Sequence, residues 1–272
     1  MTIKNAFKAV ALTATLGLAL AACGSSSDNT KTTTGPAAGL TLVKAGTLTV
    51  CSDVPYAPFE DFDQSAPSGF KGFDVDIVSK IASELGLKLK IIDSDFTPLQ
   101  SGLTLNSGGC DIGASAMTIT PARAKNIGFS DSYYDSEQSL LVPVGSSIKS
   151  IADLNGKNLG VQKDTTGATY AAANAKGAHI IAYKDDGSEF TALKAGVVDA
   201  LLQDLPVNLA HTTDPKYAGK YVVIEKYKTN EQYGLAMKKT NTKLIAKINE
   251  LLAQMKSDGS YQKIYDTYFK TS

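Results

Sequence analysis

Arg123 is the residue of this sequence whose type and position most clearly indicate a binding site. It is the only arginine among 272 residues, so that lysine supplies all the other permanently charged cations. Thr120 and Pro121 before it form a helix-start pattern, a hydroxyl for the N-cap and a ring already set to helical φ. A cation in the first helical turn opposes the helix dipole, which costs about 0.3 kcal/mol or more. A planar, bidentate donor at such a position predicts a carboxylate site; a surface or salt-bridged arginine is the alternative.

Strand-like and helix-like segments alternate on both sides of this motif. Residues 111–117, directly before it, are small and mostly apolar, as in a buried strand. Residues 73–85 place apolar side chains at helical spacing between Gly72 and Gly86. The other segments that read as strands or extended crossings are 47–51, 87–92, 139–144, 158–162, 179–183, 197–202, 221–224 and 234–237, and the other helices are 98–105, 166–175, 190–195, 205–212 and 242–256. This alternation predicts an α/β fold with largely parallel sheets.

The amino-terminal residues read as a targeting segment rather than as part of the fold. Lys4 and Lys8 precede an apolar stretch over residues 9–22 that ends in LAAC. This pattern resembles a bacterial lipoprotein signal over residues 1–22, in which Cys23 becomes the lipidated first residue. A plain secretory signal is the alternative, and either signal places the protein outside the cytoplasm.

Residues 23–40 contain almost nothing to bury and predict a disordered tether. No later segment is long and apolar enough to predict a membrane span. The formal net charge is zero and the lysines are dispersed, which argues against nucleic-acid binding. We expect neither a cofactor nor a metal, because His179 and His211 lack the spacing of metal ligands.

Two cysteines, Cys51 and Cys110, follow the tether. Cys51 closes one predicted strand and Cys110 opens another. Because such ends lie apart in a parallel sheet, we expect two buried thiols, with a disulfide as the alternative.

Several short motifs together resemble the polar-amino-acid family of bacterial solute-binding proteins, in particular its histidine-, lysine/arginine/ornithine- and glutamine-binding members. The motifs are YAPFE (56–60), GFDVDI (72–77), SAMTITPAR (115–123), FSDSYY (129–134), GVQKDTTG (160–167), QDLP (203–206) and QYGLAM (232–237). The resemblance implies a type II periplasmic-binding-protein clamp of two α/β lobes joined by two extended hinge crossings. We expect lobe 1 to comprise residues 41–139 and 235–272, and lobe 2 residues 140–234.

The resemblance also implies how an amino acid is held at its carboxylate end. Arg123 takes the α-carboxylate in a fork, together with the backbone N–H groups of Thr118 and Thr166. Thr165 and Thr166 begin a helix whose free N–H groups favour an anion. The alternative for this DTTG segment is an ordinary capped helix.

At the other end of the ligand, the resemblance assigns the α-ammonium to Asp204. The Thr118 hydroxyl and the Ala116 carbonyl complete the acceptors, and Ser115 of the same motif is counted with the binding residues. A helix cap is the alternative role for Asp204.

Five further residues are expected around the ligand side chain. Tyr56 and Phe96 match aromatic rings that stack on it, although Phe96 also fits a core position. Asp53 and Asp74 match acids that face a cationic side chain, and a helix-start role is the alternative for Asp74. Gln162 matches neither the basic binders nor the glutamine binder. We expect a basic or glutamine-like amino acid, since no second arginine is present for a γ-carboxylate.

The resemblance implies transport rather than catalysis. The expected partner is the permease of an ABC importer, and the chain is expected to be a monomer anchored to the membrane through Cys23. The competing functions are a cyclohexadienyl-dehydratase-like enzyme of the same fold and a sensing module for a signalling partner. No serine-hydrolase elbow or phosphate loop is present, because GVQKDTTG lacks the GK[ST] ending.

Overall fold

The computed structural model describes residues 35–270. The predicted signal peptide (1–22), the predicted lipidation at Cys23 and most of the tether lie outside them. The tether prediction is wrong for its last residues, because residues 36–39 form turns and the Ala37 side chain is 2% exposed. Leu40 and Leu42 pack on the same core as Ala37, so this segment has apolar surface to bury after all. None of the helices in the described range is long and apolar enough to span a bilayer.

The described chain alternates between strands and helices. In chain order the strands are β1 (Thr47–Ser52), β2 (Asp61–Phe62), β3 (Phe70–Lys71), β4 (Lys88–Asp93), β5 (Ile112–Gly113), β6 (Ile127–Phe129), β7 (Tyr134–Pro143), β8 (Asn158–Gln162), β9 (His179–Tyr183), β10 (Ala200–Asp204), β11 (Tyr221–Tyr233) and β12 (Ala236–Lys238). The helices are α1 (Phe73–Glu84), α2 (Phe96–Gln100), α3 (Leu103–Asn106), α4 (Thr166–Asn174), α5 (Asp186–Lys194), α6 (Leu205–Thr213), α7 (Thr242–Ser257) and α8 (Ser260–Phe269). Short 3₁₀ turns occur at Arg123–Lys125 and Ile151–Leu154.

Two five-stranded sheets form the centres of two lobes. The first sheet has the order β4-β1-β5-β12-β6, and the second has the order β11-β7-β10-β8-β9. Strands β4, β1 and β5 run parallel, as do β9, β8 and β10, whereas β12, β7 and β11 pair antiparallel with their neighbours. The predicted α/β clamp is therefore confirmed, with mixed rather than largely parallel sheets.

Helix α1 shows how the apolar pattern fixes the packing of the first lobe. Phe73, Ile77 and Ile81 are fully buried, which contributes about 1.5 to 3 kcal/mol per side chain. The helix begins after Gly72, whose φ is 132° and where an added Cβ would lie 2.1 Å from the carbonyl oxygen of Phe59. Only glycine fits this position, so the GFDVDI motif is fixed by the backbone contact as well as by the helix.

The chain passes between the sheets twice, at residues 130–133 and 234–235, and β7 and β11 flank these crossings in the second sheet. The two crossings are hydrogen-bonded to each other: Ser130 N–H donates to the Leu235 carbonyl and Tyr133 N–H to the Tyr233 carbonyl, both at 2.9 Å. Both strands are longer than the segments predicted at 139–144 and 221–224. The lobe limits at 139/140 and 234/235 stay predictions.

The prediction of two free thiols is wrong, because Cys51 and Cys110 form a disulfide with a Cα–Cα distance of 5.9 Å. The predicted strand over 111–117 is only the two-residue β5, so Cys110 lies in the preceding loop rather than at a distant strand end. Asp111 holds this loop against β1 by accepting from the backbone N–H of Val43 at 2.6 Å and of Thr49 at 2.8 Å.

Candidate ligand-binding site

A cavity lies where strand ends of both sheets meet. Asp53 follows β1, Ser115 follows β5 closely, and Gln162 and Asp204 end β8 and β10. Carboxyl ends of strands are the usual ligand-binding edge of such sheets. The cavity is lined by Asp53, Tyr56, Phe96, Ser115, Ala116, Thr118, Arg123, Gln162, Thr165, Thr166 and Asp204. These are the predicted site residues with one exception, Asp74.

Arg123 enters the cavity from an irregular segment rather than from a regular helix. The predicted helix is reduced to the 3₁₀ turn Arg123–Lys125, although the Thr120 hydroxyl still accepts from the Arg123 N–H at 3.2 Å. The guanidinium donates to the carbonyl oxygens of Thr118 at 2.8 Å and Asp164 at 3.2 Å, and its Cζ lies 5.1 Å from the centre of the Phe96 ring. Neutral backbone dipoles from a nearby and a distant segment of the chain therefore aim the side chain.

The guanidinium is buried and has no counter-ion among residues 35–270. Its residue is 6% exposed, and none of the ion pairs of the described residues includes it. Burial lowers the pKa of Arg123, while the more distant charges of Asp204 and Glu231 act in the opposite direction. These facts exclude the surface and salt-bridged alternatives within the described chain. A buried charge without a partner is energetically costly.

Asp204 is the complementary group across the cavity. It occupies the N-cap position of α6 but makes no cap hydrogen bond, so the capping alternative is wrong. Its carboxylate accepts instead from the Tyr233 hydroxyl and from Nε2 of Gln138. Burial, followed by the charge of Glu231, raises the pKa of Asp204 to about 7. A cation bound beside Asp204 would lower this pKa and keep the carboxylate ionised.

Asp53 and Gln162, which come from opposite lobes, are hydrogen-bonded in a third region of the cavity, apart from Arg123 and Asp204. Gln162 Nε2 donates to Asp53 Oδ2 at 2.5 Å and to the Lys184 carbonyl at 3.2 Å. The Ser115 hydroxyl accepts from the Asp53 N–H at 3.0 Å and donates to Glu60 at 2.8 Å. Burial raises the pKa of Asp53 to about 7, against the opposing effect of the Gln162 hydrogen bond.

Asp74 lies behind the cavity and does not line it. Its Oδ2 accepts from the Ala116 N–H at 2.9 Å and from the Tyr133 hydroxyl at 2.7 Å. Ala116 has a φ of 42°, in the left-handed region that only a few non-glycine residues adopt. Asp74 therefore fixes the backbone that presents Ala116, and the predicted ligand contact does not occur in this geometry.

Two aromatic residues and the threonine pair also line the cavity. Tyr56 and Phe96 line the cavity and are also buried in the core, so both of the roles considered for Phe96 coexist. Thr165 caps α4, because its hydroxyl accepts from the Ala168 N–H at 3.0 Å. This leaves the amino-terminal end of α4 and Thr166 facing the cavity.

Three polar residues of the site escaped the sequence reasoning. Glu231 and Tyr233 lie at the end of β11, just before the second crossing, and Gln138 lies in the polar first half of β7. The EQ pair before the YGLAM segment was a signal in the sequence, whereas the burial of Gln138 is visible only in the structure. His211 is also better connected than expected: its Nε2 lies 2.8 Å from Asp186 and its ring stacks on Phe190. The described residues contain no cluster of metal-ligand side chains.

The two lobes, the double crossing and the interlobe cavity define a clamp-like solute-binding protein. The chain belongs to the bacterial extracellular solute-binding proteins, family 3, whose family model matches residues 48–271.

Relatives of known type agree with this membership. An ABC transporter glutamine-binding protein of Bacillus subtilis is 36% identical over 202 residues, which cover 74% of this chain and 73% of that protein. The lysine/arginine/ornithine-binding periplasmic protein of Escherichia coli is 31% identical over 232 residues, 82% of this chain and 87% of that protein. The crystal structure of an ancestral amino-acid-binding protein, a precursor of cyclohexadienyl dehydratase, superposes with a TM-score of 0.75 at 34% identity, covering 83% of this chain and 96% of the other.

Proposed function

We propose that this protein captures a polar L-amino acid outside the cytoplasm and delivers it to an ABC importer. The proposal rests on two oppositely charged groups that line the same cavity, each without an ion-pair partner in the described chain. Buried Arg123 has no counter-ion among residues 35–270, and Asp204 is buried without a cation partner in the same range. A zwitterion supplies both missing partners at once.

The proposed binding mode follows from the groups that line the cavity. The α-carboxylate meets the fork of Arg123, together with the backbone N–H groups of Thr118 and Thr166. The α-ammonium meets Asp204, with the Thr118 hydroxyl and the Ala116 carbonyl as further acceptors. Water is excluded by the buried rings of Tyr56 and Phe96, which strengthens both ion pairs.

Closure of the lobes is part of the proposed mechanism, because the two poles attach to different lobes. Arg123 also donates to the Asp164 carbonyl, and the Thr97 hydroxyl donates to Asp164 Oδ2 at 2.7 Å, across the same cleft. A ligand held by Arg123 and Asp204 favours the closed arrangement by the contacts that exist only there.

The side-chain end of the cavity favours a basic or glutamine-like ligand. Asp53 is an acceptor for a cation or an amide N–H, and the Gln162 amide oxygen is a second acceptor, because both of its N–H groups already donate to Asp53 and the Lys184 carbonyl. The two relatives named above bind glutamine and basic amino acids, which supports the same pair of ligand classes.

The finer aspects of the assignment concern location and partners. We propose that Cys23 is lipidated after removal of residues 1–22, that the chain is a monomer anchored to the cell membrane, in the periplasm or at the cell surface, and that the importer's permease receives the closed form. We propose that the protein binds its ligand without catalysing a reaction, although it resembles a dehydratase precursor, since Asp53 and Asp204 each have a ligand-pairing role. Recovery of the bound amino acid unchanged, by mass spectrometry after incubation, tests this point.

The direct test is calorimetric titration of the ligand-stripped protein against the common L-amino acids. We expect at least one to bind with a Kd of about 1 µM or tighter. Arg123→Ala should weaken that binding by about 3 kcal/mol, more than a hundredfold, because the carboxylate loses its partner. Lys125→Ala, an exposed cation in the same 3₁₀ turn, is the matched control and should leave the affinity unchanged. Binding only of a sugar, a metal or a peptide would overturn the proposal.

A further inference from the structure

Glu231 is a buried carboxylate that lies directly behind the cavity without lining it. Its residue is 9% exposed, and its Oε2 accepts from the Thr118 hydroxyl at 2.9 Å and from the Thr166 hydroxyl at 2.8 Å. Gln138 Nε2 donates to both of its oxygens, at 3.1 and 3.2 Å. All of these partners belong to the site or contact it.

The backbone around Glu231 is shaped to place this side chain. The pairing of β11 with β7 shifts register between Tyr227 and Glu231, and Asn230 between them has a φ of 53°. Such irregularities bend a strand and redirect the side chains that follow. The redirected carboxylate reaches Thr118 beside the first sheet and Thr166 at the start of α4, so that one oxygen joins both lobes.

The direction of these hydrogen bonds has a consequence for the ligand. A hydroxyl group has a single proton to donate and two lone pairs that accept. A carboxylate can only accept, so Thr118 and Thr166 must both give their protons to Glu231. The hydroxyl oxygens then present only lone pairs to the cavity, 3.4 Å apart. The Gln138 amide is likewise oriented, with its Nε2 shared between Glu231 and Asp204.

We propose that Glu231 is a positioning residue that sets the Thr118 and Thr166 hydroxyls as acceptors and thereby makes this end of the cavity select an ammonium group. The inference rests on the proposed function, because it concerns how the same site recognises the amino group. A neutral hydroxyl at the α-position of a ligand can be served by either orientation of the threonines, whereas an ammonium group can only donate.

The test compares L-arginine and L-glutamine with their 2-hydroxy-acid analogues, in the wild type and in Glu231→Gln. An amide at position 231 replaces one acceptor by a donor, so it cannot accept from both hydroxyls and from Gln138 together. We expect the preference of the better-bound amino acid over its hydroxy analogue to fall about tenfold or more. A purely structural role would weaken both ligands by the same factor and leave the ratio unchanged.

Two further variants make the comparison specific. Glu225→Gln is the matched control, since Glu225 lies on the same strand and accepts from the Ile151 N–H and the Tyr227 hydroxyl, away from the cavity. It should keep the wild-type ratio. In a Thr118→Val background, Glu231→Gln should change the ratio by a smaller factor, because one of the oriented hydroxyls is already gone.

The outcomes separate the two proposals. If the wild type binds an amino acid but Glu231→Gln keeps the wild-type ratio, the role of Glu231 is wrong and the proposed function stands. If Glu231→Gln does not fold, the Thr118→Val and Thr166→Val single variants carry the test, and unchanged ratios in both overturn the role. If the wild type binds no amino acid, both proposals fail together.

Discussion

The two lobes supply the two poles of the site by different structural means. In the second lobe, Gln162 and Asp204 are the last residues of regular strands, and Thr166 is the first residue of a regular helix. In the first lobe, Asp53, Ala116 and Arg123 lie in irregular segments between short elements. The first lobe contains a disulfide and a cluster of aromatic rings around Phe59 and Phe73. The described residues of the second lobe include no cysteine.

Regular strands and helices position the site residues of the second lobe, whereas individual contacts position those of the first lobe. Asp204 ends a regular strand, where it pairs with Gln138 in the ladder between β10 and β7. Arg123 and Ala116 are held by individual contacts, namely the Thr118 and Asp164 carbonyls for Arg123 and the Asp74 carboxylate for Ala116. Loss of a single constraint should therefore affect the first lobe more than the second.

The largest expected effect is on stability and concerns the disulfide. Replacing both Cys51 and Cys110 by serine should lower the free energy of unfolding by about 4 kcal/mol, because the bridge closes a loop with a sequence separation of 59. Urea unfolding followed by circular dichroism measures this change. A decrease below about 1 kcal/mol would show that the first lobe does not depend on the bridge.

The next effect, on affinity, concerns the pole supplied by the second lobe. Asp204→Asn should weaken amino-acid binding by about 3 kcal/mol, or more than a hundredfold, because the α-ammonium loses its charged partner in a buried site. Asp199→Asn, just before the same strand, is the matched control and should bind like the wild type. Equal affinities of the two variants would contradict the assignment of Asp204.

The pH dependence of binding sharpens the comparison further. In the ligand-free protein the pKa of Asp204 is raised to about 7, chiefly by burial. Because an ammonium ligand requires the ionised carboxylate, binding below pH 7 must first remove a proton. Affinity should therefore fall as the pH decreases, by up to about tenfold per pH unit. Titrations at pH 8, 7 and 6 measure the slope, and Asp204→Asn should have a flatter profile unless Asp53 supplies the dependence.

The smallest expected effect is on the helix that presents Thr166. Thr165→Ala removes the cap of α4 and should cost about 1 kcal/mol of stability, measured by urea unfolding. Thr191→Ala, at an exposed position of α5, is the control and should change stability by less than about 0.5 kcal/mol. A Thr165→Ala variant as stable as the Thr191→Ala control would show that the Thr165 cap does not stabilise α4.

The sequence predicted the regular elements of both lobes better than the irregular segment that carries Arg123. The segments at 158–162, 166–175 and 179–183 correspond to β8, α4 and β9 nearly residue for residue, because strand, cap and helix signals agree there. The stretch from 111 to 123 was predicted as a strand and a helix, but it contains β5, irregular backbone and a 3₁₀ turn. Its conformation depends on the distant groups of Asp74, Thr49 and Tyr233, which local patterns cannot reveal.

The lining of the cavity was predicted from motif resemblance more successfully than its supporting residues. The cavity-lining residues Arg123 and Asp204 belong to short recognisable motifs. Glu231, Gln138 and Tyr233 act from behind, and their roles depend on which strands pair across the crossings. Free thiols were expected because Cys110 was assigned to the far end of a longer strand than the one that forms.

The most direct test of the account is a crystal structure of the protein loaded with the amino acid that binds most tightly in the titration. The account predicts the α-carboxylate in hydrogen-bond contact with the Arg123 guanidinium and the α-ammonium in contact with Asp204, within the closed cavity. A loaded structure in which either residue faces bulk solvent, or in which the ligand lacks one of the two charged groups, would contradict it.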